Sequence, residues 1–179
     1  MKVIAIDISG NFEEGKGTTG YCIGNEEGTI NEIGEIRASD YNSRMEYYDA
    51  LMKLVFEDRQ IDVIVCENFR LYKHKAQAQV HSLLETPRII GALEYTAWKN
   101  VKPIYFQMAS DVKSRFSDEI MLEKNIIQKH KNTYYFNFIK TNDHMRDAMR
   151  HYYYFTKYRL KKEGWNYTTP LSKTSYFDL

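Results

Sequence analysis

An unbroken apolar run, Val3 to Ile6, opens the chain and predicts a strand over residues 2–9 with Asp7 inside it. Asn11 to Gly17 is polar and Gly-containing and reads as a turn. Two further strands follow at Thr18–Gly24 and Thr29–Arg37, joined by Asn25-Glu26-Glu27-Gly28. Three consecutive strands with tight turns predict an antiparallel meander. Ser43, with Glu46 three residues on, forms the capping box of a helix whose apolar positions are Tyr47, Leu51, Leu54 and Val55, ending near Arg59. Ile61–Cys66 is apolar apart from Asp62, the pattern of a buried strand pairing in parallel with the first. A helix over 83–99 places Ile89, Ile90, Leu93 and Ala97 on one side, and Pro103–Phe106 is a short strand. Ser117 caps a short helix running through Glu123 and Ile127, and a last helix runs from Asn142 to about Lys161. The order β-β-β-α-β-α-β-α-α predicts an α/β fold with a mixed sheet and helices on both faces. One domain is expected over residues 1–162, with an aperiodic tail over 163–179.

Composition changes little in this picture. With 179 residues, 9 Gly and 3 Pro, the chain has the size and make-up of one domain with a real core. No apolar run reaches the roughly 20 residues needed to cross a bilayer. Asp7 interrupts the opening run too early for a secretory signal, so a cytoplasmic protein without membrane contact is expected. Cys22 and Cys66 lie in apolar runs without a second Cys at metal spacing, as small buried hydrophobes rather than zinc ligands. Charge is informative only by halves. Residues 1–67 carry 6 basic and 14 acidic residues, and residues 68–179 carry 19 basic and 10 acidic. A basic surface built by the second half, beside an acidic first half, fits a phosphate-binding face next to a cation site.

The candidate chemistry lies in acids placed where acids are costly. Asp7 sits in the first strand and Glu67 ends the second apolar one. On the last helix, His144, Asp147 and His151 share a face, and Asp143 can join Asp147. A strand's C-terminal edge is where α/β folds place ligand sites. A pair of divalent cations would compensate such a set, since hard cations take carboxylate oxygens.

Ile6-Asp7-Ile8-Ser9, Thr19-Gly20-Tyr21-Cys22, Val65-Cys66-Glu67-Asn68-Phe69 and His144-Met145-Arg146-Asp147-Ala148-Met149-Arg150-His151 together resemble the RNase H-like nuclease superfamily. Within it they resemble the RuvC-type Holliday junction resolvases, phage-encoded members above all, over roughly residues 1–160. The resemblance implies an RNase H-like five-stranded mixed sheet, a three-strand antiparallel meander plus parallel strands. It implies Asp7, Glu67, His144 and Asp147 as catalytic, metal-holding residues. Many members carry Asp where this chain has His144, which leaves Asp143 as the alternative fourth ligand; as a first-turn acid, Asp143 also complements the helix dipole. His151 is read as structural or as supporting the site from outside.

The implied activity is a metal-dependent endonuclease that resolves four-way DNA by paired symmetric nicks, leaving 5′-phosphate and 3′-hydroxyl ends. Two Mg²⁺ about 4 Å apart would straddle the scissile phosphate, with Mn²⁺ able to substitute. Symmetric cuts imply a homodimer, for which the apolar side of the 83–99 helix is a candidate interface, though core packing explains it equally well. Phe69 and Tyr72 are candidate base-stacking residues, and Arg70, Lys73 and Lys75 candidate phosphate contacts. Lys113, and more weakly Arg115, sits where the resembled family has a basic residue near the scissile strand. Tyr152-Tyr153-Tyr154-Phe155 and Tyr158 are read as core. The same acids would serve an enzyme of RNA/DNA hybrids or flaps. An inactive DNA-binding module would be expected to have lost one of them, and an actin-like ATPase would need a second domain.

Overall fold

The computed structural model describes residues 1–57, 59–69 and 84–160. A five-stranded sheet has the order β3-β2-β1-β4-β5, built from β1 (Lys2–Asp7), β2 (Thr18–Asn25), β3 (Ile30–Arg37), β4 (Val63–Glu67) and β5 (Ile104–Gln107). β1, β2 and β3 pair antiparallel, whereas β4 pairs in parallel with β1 and β5 with β4. The mixed sheet and its meander are as the sequence predicts.

Period-two alternation assigns each strand residue to a layer. Ile4, Ile6, Ile64 and Cys66 face one core, which is closed by α1 (Arg44–Phe56) and α2 (Glu85–Lys99) through Tyr47, Leu51, Leu54, Ile89, Leu93 and Ala97. Val3, Ala5, Val63, Val65 and Cys22 face the other, closed by α5 (Asp143–Tyr154) through Met145, Ala148, Met149 and Tyr152. Burying each Ile or Val is worth roughly 1.5–3 kcal/mol, which holds both helical layers on the sheet. Cys22 and Cys66 are free and buried in opposite layers. The apolar side of α2 is thus committed to the core. Tyr152 and Phe155 are buried as well.

The helix starts follow local chemistry. Ser43 Oγ accepts from Glu46 N at 3.2 Å, but Glu46 Oε2 reaches back to Asn42 N rather than to Ser43. Ser117 Oγ caps α4 (Asp118–Glu123), and Asn142 Oδ1 caps α5 by accepting from Met145 N at 2.8 Å. Beyond Tyr154 the last helix continues as a π-helical turn, Phe155–Arg159.

Three elements differ from the sequence expectation. Asp7 closes β1 instead of lying within it. A short helix, α3 (Ala109–Lys113), follows β5. Residues 128–141, for which no element is predicted, form a separate antiparallel sheet of β6 (Gln128–His130), β7 (Thr133–Phe136) and β8 (Ile139–Thr141). Their strands are three or four residues long, too short for a period to register. The proposed tail, 163–179, lies outside the described residues.

Candidate active site

Ile6 stands opposite Cys66 in the parallel pairing, so Asp7 and Glu67 leave the sheet side by side at the C-terminal edge. Both continue the odd-numbered face, the one α5 covers. Asp7 is also the cross-strand partner of Gly20. A Cβ at Gly20 would lie 2.3 Å from the carbonyl carbon and oxygen of His144 and 2.5 Å from Met145 N. The bare glycine lets the first turn of α5 rest directly on β2, which sets His144 and Asp147 above the strand ends. One carboxylate oxygen each from Asp7, Glu67 and Asp147 then lies within 4.8 Å of the other two.

Each acid has its own support. His144 Nδ1 lies 2.6 Å from Asp7 Oδ2. Burial drives the Asp7 carboxyl above its ordinary pKa; the His144 contact opposes the rise, and the charges of Glu67 and Asp147 add to it. The bond to Asp7 raises the His144 imidazole in turn, against the effect of its burial. Glu67 Oε2 is 3.0 Å from His151 Nε2, and His151 Nδ1 is 3.0 Å from the Gln107 side-chain amide. The amide atom placed against Nδ1 is Oε1, and Gln107 Nε2 has no partner among the described residues. Turned to donate to Nδ1, that amide selects the tautomer whose Nε2–H donates to Glu67.

Asp147 is held by cations. Lys113 Nζ is 2.9 Å from its Oδ2, and Arg150 Nη1 contacts its Oδ1. Burial works to lower the Lys113 pKa, yet the bond to Asp147 and the charges of Asp147 and Glu67 outweigh it and raise it. Arg150 is buried, donates from Nε to Phe116 O at 2.9 Å, and pairs with Asp118, which also meets Arg146 at 3.1 Å. A buried arginine paired this way keeps its side chain in place.

The structure brings Asp7, Glu67, His144, Asp147 and Lys113 together. Asp143 is not among them: its carboxylate pairs with Arg146 and is 86% exposed. Arg115 lies over the Tyr158 ring, 5.0 Å from its centroid. Phe69 is half-buried just beyond Glu67. Arg70, Tyr72, Lys73 and Lys75 lie outside the described residues. Asp118 and Gln107 were not singled out from the sequence, and Gly20 and Arg150 entered only inside longer motifs, with no role of their own. Only the acid–base alternation Asp143, Arg146, Asp147, Arg150 along α5 could have pointed to the arginine.

The donor set suits a hard divalent cation. All three converging side chains are carboxylates. Among the described residues, no helix is long and apolar enough to cross a membrane.

No family model matches the sequence, and no curated protein matches it. Solved structures do. RuvC of T. thermophilus in complex with a Holliday junction substrate superposes with a TM-score of 0.59 at 16% identity, covering 86% of this chain and 94% of that one. Thermus thermophilus RuvC superposes with a TM-score of 0.57 at 17% identity, covering 86% and 95%. At that identity the likeness is one of fold, and this chain has the RNase H-like fold of RuvC.

Proposed function

We propose that this protein is a metal-dependent, structure-selective DNA endonuclease that resolves four-way or other branched DNA by paired symmetric nicks. The observation that carries the reading is the meeting of Asp7, Glu67 and Asp147 within 4.8 Å at the sheet's C-terminal edge. Three carboxylates this close repel one another, and a cation is what makes such a cluster useful. Mg²⁺ fits the oxygen donors, with Mn²⁺ as a substitute. When bound there, divalent ions supply the charge that activates an attacking water and stabilises the leaving 3′ oxygen.

The chain's own residues prepare that site. His144 orients Asp7, and His151 with Gln107 orients Glu67. Arg150 fixes one oxygen of Asp147. Lys113 is half-exposed and holds the other, so it can exchange that carboxylate for a substrate phosphate. We take Phe69, Arg70, Tyr72, Lys73 and Lys75 as the segment that meets the branch point. Symmetric nicking calls for two centres and hence a two-fold dimer. With Ile89, Leu93 and Ala97 in the core, the apolar surface α2 leaves for a partner is exposed Tyr95 and Trp98, their rings 6.0 Å apart.

The deciding experiment is a panel of labelled substrates with Mg²⁺: a synthetic four-way junction, a flap, an RNA/DNA hybrid and a linear duplex. Paired nicks in opposite junction arms, with 5′-phosphate ends, are expected. Preference for the hybrid would replace the resolvase reading by a ribonuclease one, and cleavage of none would end both.

A further inference from the structure

The segment between α4 and α5 is set apart by its charge. Residues 128–141 hold Lys129, His130, Lys131 and Lys140 and no acid. They form the β6–β8 meander, whose faces differ in kind. Tyr134 and Phe136 pack against the core beneath α5. The Arg146 guanidinium lies 4.4 Å from the Tyr134 ring centroid, and its Nη1 donates to Thr141 O at 3.3 Å. Lys129 Nζ rests over the same ring at 5.1 Å. This face ties the meander to the helix that carries His144 and Asp147.

The register puts Gln128, Tyr135 and Lys140 side by side on the opposite face. Lys131 and Lys140 are exposed and have no ion pair among the described residues. At the β7–β8 turn, Phe138 is 93% exposed. Its φ of 67° is a left-handed value that bulky side chains rarely adopt. Neither packing nor backbone preference accounts for an aromatic ring there. A strained, solvent-facing aromatic two residues before Lys140 at one end of the meander, with Lys131 at the turn of the other end, is the make-up of a surface that meets phosphates and bases.

We infer that β6–β8 is a second nucleic-acid contact, in which Lys131 and Lys140 take backbone phosphates and Phe138 stacks on an unpaired base. This rests on the nuclease reading above and deepens it, because β8 leads through Thr141 and Asn142 straight into α5. Branched DNA held by the meander is thereby held in register with the carboxylates.

The test is equilibrium binding of the full chain to a fluorescent four-way junction and to linear duplex, in Ca²⁺, over a range of NaCl. The variants are Lys131→Ala/Lys140→Ala and Phe138→Ala, none of which touches the core or the acids. The double variant is expected to weaken binding to both DNAs and to lower the slope of log affinity against log salt by about two. Phe138→Ala is expected to weaken junction binding about tenfold and leave duplex binding unchanged. Parental affinity and slope in both variants, with parental cleavage intact, would overturn this inference alone. A changed oligomeric state by light scattering, with DNA affinity unaltered, would assign the face to a second copy instead. If the parent binds no DNA, the functional reading falls with it.

Discussion

Asp7 and Gly20 face each other across β1 and β2, and the missing side chain of one places the helix that completes the site of the other. Gly20→Ala would set a methyl against the His144 carbonyl group, backbone that cannot step aside. Loss of about 1–3 kcal/mol of stability is expected from such overpacking. Junction cleavage should fall further than folding does, because His144 and Asp147 move with α5. Thermal unfolding and single-turnover cleavage, measured on the same preparation, check both.

Asp7→Asn removes a buried charge from a like-charged cluster. In EDTA the variant should melt above the parent, since Asp7 is the acid whose ionisation burial opposes. It should also lose cleavage while still binding a four-way junction in Ca²⁺. A variant that cuts at the parental rate removes Asp7 from the proposed centre.

Asp7 and His144 both hold their protons more tightly in the folded chain than at their ordinary values of 3.8 and 6.5. Each contribution to stability is complete below that ordinary value and is lost as pH rises through the raised folded value. The share of the Tm in EDTA that these two groups supply should therefore decline as pH increases from about 4, with the His144 part going above about 6.5. Mg²⁺ needs ionised carboxylates, so the rise in Tm it produces should grow over the same interval. Calorimetry at several pH values, with and without Mg²⁺, tests the two opposite slopes.

Lys113 competes with any cation for Asp147. Lys113→Met should shift the Mg²⁺ midpoint of thermal stabilisation to lower concentration. If the ammonium also meets substrate phosphate, cleavage at saturating Mg²⁺ should drop roughly 10- to 100-fold in spite of the tighter metal. An unchanged midpoint would show that the pair with Asp147 opposes no ion.

His151→Phe keeps the volume of a buried ring but frees Glu67. A loss of about 10- to 100-fold in cleavage, or in apparent Mg²⁺ affinity, is expected when such a support is removed. Gln107→Leu should move the same readouts in the same direction by a smaller factor. Equal activity in parent and both variants would make this chain of contacts purely structural.

Much of the architecture was readable in the amino-acid order, because strands and helices repeat locally. Val3, Ala5 and Asp7 share a face by period two, as do Val63, Val65 and Glu67. His144, Asp147 and His151 share one by period 3.6. The meander, the parallel pair and Glu67 at the end of its strand follow from those patterns, whereas the stop of β1 at Asp7 does not. The β6–β8 sheet escaped them because its strands are too short to show a period.

What local order could not supply was the choice of partners. His144 meets Asp7 across 137 positions of sequence and His151 meets Glu67 across 84. Lys113 reaches Asp147 from α3 and Gln107 reaches His151 across 44 positions, whereas Arg150 meets Asp147 within one turn of α5. The amino-acid order settled which residues face which layer, since side-chain direction is set by backbone period. Packing settled which charges touch, with Gly20 allowing α5 onto the sheet and Asp143 turned away to Arg146. Contact between distant residues depends on the space two elements leave between them, and no single stretch of chain encodes that.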